Sequence, residues 1–392
     1  MPRSRRALLA STAAVAIGAL AGCSRPFRGS RPGVTPTQSD AWATRHGGSS
    51  RTRASDAAAV SSDPAHQWRD TDFPQYDGGV FTAAGGGFVV DTHTVTAVAP
   101  DGSVRWRDDT GYYGQPLLTR DAVVVAAMDG SLVALDRASG ERAWTGAEVS
   151  PTALAAGRIL GADGSETVAA ARPGGGTAWT RRSAHADYVP AVACGEETVL
   201  AAFTYRHQPR DDTTAMRNRS TVVAYDAGSG DVQWQFGVPG AVERLAVRNG
   251  RVYVGAGIRD LGAVLSVLSL SEGRVAVRRT FLGAWLDGLT VTADRAVAAA
   301  GTTLVGFDER LDGRVWSESL PARPSSLATA ASLVYATWSE PTDETVVAAF
   351  DAADGEREWQ VTLTADWGYV AGVTDGRVFV ATNDETGLHV LE

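Results

Sequence analysis

Three stretches of this chain share one layout: "ALDRASGERAW" at 134–144, "AYDAGSGDVQW" at 224–234 and "AFDAADGEREW" at 349–359. In each, Ala leads, Asp follows two places later, Gly four places after that and Trp four places further on. A spacing held so far apart in sequence has a structural cause. Recurrence of this kind marks stacked units, so one repeated architecture takes precedence over the two or three domains that 392 residues would otherwise suggest.

Trp recurs at Trp68, Trp106, Trp144, Trp179, Trp234, Trp316 and Trp359, with most intervals between 35 and 43 residues. Eight places before each lie Asp136, Asp226, Asp308 and Asp351, with Ala171 in the third unit. Val277, eight places after Ser269, stands where a Trp is expected, and the unit ending at Trp106 is one residue shorter in its turn. Upstream of the turns lie short apolar runs bounded by Gly and Asp, "VVVAA" at 123, "TVLAAF" at 198, "RVYVGAG" at 251, "AVAAAG" at 296, "LVYATW" at 333 and "RVFVATN" at 377. Such runs read as β-strands, and each repeat as a four-stranded antiparallel sheet. Asp then closes the third strand by accepting backbone N–H bonds across the turn, and Gly supplies a positive φ. Trp on the fourth strand is thrown back between neighbouring sheets, where burial contributes about 4–6 kcal/mol as an upper estimate. The seven Trp are therefore read as mortar between sheets.

The chain stops at "LHVLE", one strand short of a full unit, while "HQWRD" around Trp68 is a fourth strand with no three before it. Pairing the two removes both sheet edges. The expected fold is all-β: an eight-bladed β-propeller of four-stranded antiparallel blades, closed by pairing of the N- and C-terminal strands. With Ala-x-Asp-x-x-Ser/Thr-Gly-x-x-x-Trp on the page, the chain resembles the PQQ-like (quinoprotein alcohol dehydrogenase-like) β-propeller repeat family over residues 41–392. "DAWATRHGGSS", with Trp42, resembles the segment that opens such domains. The resemblance implies either a quinoprotein dehydrogenase or the lipoprotein scaffold of outer-membrane β-barrel assembly, and it favours the scaffold. The dehydrogenases carry adjacent cysteines, whereas Cys23 and Cys194 are far apart and no Cys-x-x-Cys-His haem site is present.

Residues 1–22 read as a twin-arginine-type signal peptide: Arg5 and Arg6, an Ala-rich run too short to span a bilayer, then Leu20, Ala21 and Gly22 before Cys23. The ending resembles a lipobox, which makes Cys23 the lipidation site and the protein a lipoprotein anchored at the cell membrane on its extracytoplasmic side. Two acyl chains, at about 0.8 kcal/mol per buried CH₂, suffice for stable anchoring. Residues 23–40, rich in Ser, Arg, Pro and Gly, read as a flexible tether. The formal charge of −9 argues against nucleic acid as a partner. Cys194, in "PAVACG", reads as a buried small hydrophobe.

His46, His66, His93, His185, His207 and His389 are scattered without metal-ligand spacing, and no phosphate loop or nucleophile elbow occurs. The expectation is a monomer without cofactor, metal or enzymatic activity. Binding is where the sequence offers more. In a propeller the segment after each docking Trp crosses one face toward the central channel, and five of these segments combine Asp with Tyr, Phe or Trp. Asp109, Tyr112, Tyr113, Asp187, Tyr188, Trp285, Asp287, Asp366, Trp367 and Tyr369 are thus expected to ring one mouth. Such an acidic, aromatic recess suits a protein partner or a small cationic or sugar-like ligand. The alternative is that the aromatics pack the ring and the Asp residues cap turns. The charged insertion 205–220 should rise from the same face; within it Asn218, Arg219 and Ser220 form a glycosylation sequon. The reading is a non-catalytic binding scaffold, set against a degenerate quinoprotein-type oxidoreductase and an extracellular solute sensor.

Overall fold

Short Val- and Ala-rich runs such as Ala122–Ala127 and Ala296-containing Arg295–Ala300 have buried centres and turn residues at both ends, so they form strands covered on both faces. The computed structural model describes residues 34–36, 43–44, 46–48, 50–60, 64–70, 79–83, 86–90, 93–163, 166–195, 197–207, 217–308, 310–374, 376–383 and 387–392. Cys23 and Trp42 lie outside these residues, as do the signal segment and most of the expected tether.

Among the described residues the strands form eight antiparallel sheets, each following the same up-and-down path. The first sheet spans Gly79–Ala83 to Val104–Asp108, the second Tyr112–Leu118 to Arg142–Glu148, the third Ser150–Ala155 to Thr177–Arg182 and the fourth Tyr188–Cys194 to Val232–Pro239. The fifth runs from Ala241–Arg248 to Val275–Leu282, the sixth from Leu286–Val291 to Arg314–Ser319 and the seventh from Pro324–Ala330 to Arg357–Leu363. In the eighth, Gly368–Thr374, Arg377–Thr382 and Leu388–Leu391 are completed by His66–Asp70 from the other end of the chain, with His66 opposite Leu391 and Trp68 opposite Val390. The first strand of each sheet touches that of the next. The architecture is a β-propeller, and each of the six expected upstream runs lies in the second strand of its sheet.

The core lies between sheets. One cluster joins Leu160, Ala170 and Trp179 of the third sheet to Val192, Val199, Phe203 and Tyr225 of the fourth. Cys194 belongs to it, and burial pushes its thiol well above the usual range, so it packs as a small apolar side chain.

The repeated motif works as a lock between neighbours. Oδ1 of Asp136 accepts the N–H groups of Ala138 and Ser139 at 2.9 Å each, and these bonds, Ser139 foremost, hold its carboxyl below the ordinary range. Trp106 reaches the same turn from the preceding sheet, its indole N–H donating to the Arg137 carbonyl at 3.0 Å. Trp179 donates likewise to Ala227, Trp234 to Leu270 and Trp316 to Ala352, at 3.0, 2.7 and 2.9 Å. Trp179, Trp234, Trp316 and Trp359 are buried; Trp106 and Trp144 are half-buried. The side chain of Trp68 lies outside the described residues, although its backbone is in the eighth sheet.

Where the fifth sheet carries Val277 in place of Trp, the next turn differs too. Position four after Asp308 is Asp312, not Gly, and Leu311 is fully buried in the cluster against which Val277 packs. Trp359 also departs from the pattern: its indole N–H donates at 3.3 Å to Val60, in the N-terminal segment.

That segment was expected only to open the domain, but it runs beneath the sheets. The carbonyls of Ala43, Ser50, Thr52, Arg53 and Ala58 accept N–H bonds from Leu118, Val247, Val291, Thr329 and Gly376, at or just past the ends of five first strands. Ala54–Ser55 adds a short parallel strand to Pro324–Ala330. Three described residues within the expected tether also make contacts. Pro36 bridges Thr119, the Thr35 carbonyl accepts the Arg120 N–H, and Val34 packs against the second sheet.

Candidate functional site

The face opposite that segment carries two adjoining recesses. The larger, about 1010 Å³, lies over the fourth and fifth sheets, with Tyr188 and Trp285 on its wall. The smaller, about 340 Å³, is enclosed by the first strands of the fifth, sixth and seventh sheets together with Trp367 and Tyr369 of the eighth. Glu243 lines both.

Five of the ten residues expected at the mouth line these recesses. Tyr188 and Trp285 meet in one recess; Asp287, Trp367 and Tyr369 meet in the other, where the rings of Trp367 and Tyr369 are 5.1 Å apart and tilted by 49°. Tyr112 is not on the mouth. It is fully buried with Val95, Leu118 and Val125, because the pleat turns the first of two adjacent tyrosines into the space between sheets. The side chain of Tyr113 lies outside the described residues. Asp109 and Asp366 are exposed and line neither recess. Asp187 is also exposed, and its carboxylate accepts the backbone N–H of Arg206 on the neighbouring strand of its sheet.

Arginines share the lining with the acids. Arg51, Arg53 and Arg244 line the smaller recess beside Glu243 and Asp287, while Arg206, Arg219 and Arg259 line the larger beside Glu243 and Asp260. Asp287 is moreover ion-paired with Arg323, whose guanidinium is held above its ordinary range by that hydrogen bond. Burial raises the Glu243 carboxyl, partly offset by the adjacent Arg244 guanidinium. Arg244 donates to the backbone carbonyls of Glu243 and Asp287. In a chain of net charge −9, the described lining of each recess holds three guanidiniums beside two carboxylates. Counting acids in the crossing segments misses the cations, which come from the inner strand, the strand tips and the N-terminal segment below.

That segment furnishes the floor. Arg51 and Arg53 have φ of 56° and 51°, a left-handed backbone that costs a non-glycine residue about 1 kcal/mol or more. Arg53 offsets the cost by donating from Nε to the Leu327 carbonyl and from its terminal nitrogen to that of Val370 at 3.1 Å, which bridges the seventh and eighth sheets.

Trp285 owes its position to a glycine. A Cβ at Gly257 would overlap both the indole ring and the Glu243 carboxylate, so the bare backbone lets the ring pack against it while the residue stays 44% exposed. "RVYVGAG" contains that residue, but nothing local in the sequence marks it as a platform.

Comparison with known proteins places this geometry. The family model described as outer membrane protein assembly factor BamB matches residues 53–199 and 218–348. Among solved structures, the quinohemoprotein alcohol dehydrogenase from Comamonas testosteroni is similar with a TM-score of 0.66 at 13% identity, over 90% of this chain and 80% of that one. BamB from Moraxella catarrhalis is similar with a TM-score of 0.56 at 15% identity, over 86% and 99%, and a europium-containing methanol dehydrogenase with 0.64 at 11%, over 88% and 90%. No curated protein matches. These structural likenesses carry the propeller fold alone, since one fold hosts both enzymes and scaffolds. The family match spans more than half of the sequence, and on that ground the chain belongs to the family described as outer membrane protein assembly factor BamB.

Proposed function

We propose that the protein is a non-catalytic scaffold, tethered outside the cytoplasm through a lipid on Cys23, whose eight sheets form one closed ring and present the double recess to a protein partner. The carrying observation is the character of that face. Tyr188, Leu261, Trp285 and Trp367 are large apolar side chains left exposed around recesses that also carry charged groups, the composition of a protein-docking surface. Asp287 and Arg244 are engaged with neighbouring protein groups, a structural use of charge. Family membership supports the scaffold reading at the same coarse level. Ring closure draws support from the contact of Gly79–Ala83 with Gly368–Thr374 and from the pairing of the two chain ends.

The test uses the full chain in its own membranes. Trp367→benzoylphenylalanine is expected to photocrosslink to a discrete protein, whereas the same change at exposed Val315, on an outer strand, is not. Cys23→Ser is expected to move the protein to the soluble fraction. Dye reduction by purified protein given pyrroloquinoline quinone and calcium would overturn the non-catalytic reading.

A further inference from the structure

The second and third strands of the fourth sheet, Thr198–His207 and Arg217–Asp226, run ten residues each, against six for the second strand of the third sheet and five for its third. The extra length extends the hairpin past its neighbours and sets Arg206, His207, Asn218 and Arg219 on the wall of the larger recess. Arg259 joins them from the fifth sheet. Among the described lining residues these three guanidiniums stand with two carboxylates, Asp260 and Glu243, the second of which the neighbouring Arg244 guanidinium also stabilises.

Between these cations lies an apolar surface. Leu261 is 58% exposed, Trp285 44% and Tyr188 37%. The indole is held on Gly257, so little side-chain freedom remains to be lost when something packs on it. Arg and rigid aromatics side by side are the residues that dominate binding energy at interfaces, and Arg favours planar carboxylates through paired N–H bonds. At about 1010 Å³ the recess is at the upper end of small-molecule sites and takes several residues of a peptide.

We propose that the recess over the fourth and fifth sheets receives an acidic segment of a partner protein with an apolar anchor. Its carboxylates go to Arg206, Arg219 and Arg259, and its anchor goes onto Trp285 and Tyr188. The proposal rests on the scaffold reading and specifies its partner's chemistry, opposite in sign to the partner suggested by counting acids in the sequence.

The probe is a displayed library of random twelve-residue peptides selected on the full chain, followed by titration of one enriched, fluorescein-labelled peptide. Enriched sequences are expected to combine Asp or Glu with Trp, Phe or Leu. Arg206→Glu with Arg219→Glu should weaken binding at least tenfold, as should replacing the peptide's acids by their amides, while Arg314→Glu on an outer strand changes nothing. Arg206, Arg219 and Arg314 are exposed, so reversal leaves the fold intact, and an unchanged melting curve verifies it. Gly257→Ala, whose Cβ displaces the indole and the Glu243 carboxylate but leaves all three guanidiniums in place, should weaken binding about fivefold. Enrichment of basic peptides, absence of enrichment, or binding that survives the double reversal overturns the proposal. A partner still crosslinked at Trp367 in that event leaves the scaffold reading standing.

Discussion

At Gly230 the repeat meets two demands that only a hydrogen side chain satisfies. Its φ is 75°, and a Cβ there would lie 2.6 Å from Cδ2 of Trp179. Gly140 and Gly273 face Trp106 and Trp234 in the same way, so the turn glycine serves the neighbouring sheet as much as its own turn. The chain contains its own control: after Val277 there is no indole to accommodate, and Asp312 occupies the equivalent place. Gly230→Ala should therefore cost about 2–4 kcal/mol, backbone strain and overpacking combined, in denaturant unfolding. Gly237→Ala, at an exposed strand position with open space beyond the backbone, should stay within about 0.5 kcal/mol of the parent.

Among the elements, the sheets were legible in the sequence and the N-terminal segment was not, for a physical reason. A strand buried on both faces advertises itself through Val and Ala runs, and the Asp-Gly-Trp spacing sets the turn and the docking direction. The segment 43–60 has no such periodicity, because its partners are carbonyl-accepting contacts scattered over five sheets, and its one stretch of pairing, Ala54 with Thr329, is parallel and two residues long. The same blindness concealed the sign of the recess, since Arg51 and Arg53 come up from this segment. The aromatic part of the site was read more fully: Tyr188, Trp285, Trp367 and Tyr369 follow docking positions at predictable distances, and only the pleat decides that Tyr112 turns inward. Arg53 is the segment's main pin. Arg53→Ala removes charged donors from the carbonyls of Leu327 and Val370 and leaves those acceptors partly buried, an expected loss of about 1.5–3 kcal/mol in thermal or denaturant unfolding. Arg248→Ala, which removes an ion pair at 3.5 Å to exposed Asp56, should cost under about 1 kcal/mol.

For the whole molecule, the decisive question is how a repeat array behaves when its first and last strands share a sheet. In an open array each unit leans on its neighbours alone, the end units fray, and local opening there costs far less than global unfolding. In a wheel whose eighth sheet is built from both ends, the strand His66–Asp70 can leave only by exposing Leu388–Leu391, all four of whose side chains are buried. Opening the seam would also loosen the cluster in which Val98 of the first sheet packs with Phe379, Leu388 and Val390 of the eighth. Native-state hydrogen exchange separates the two cases. The hydrogen-bonded amides of Trp68–Asp70 and Leu388–Val390 should exchange with opening free energies close to those of Leu200–Ala202 in the fourth sheet, within about 1 kcal/mol. If the sheets close into one ring as proposed, removing residues 388–392 should lower protection as far away as the fourth sheet. If the seam amides instead exchange several kcal/mol more easily than the fourth sheet, and truncation leaves distant sheets untouched, the ends pair without closing a cooperative ring.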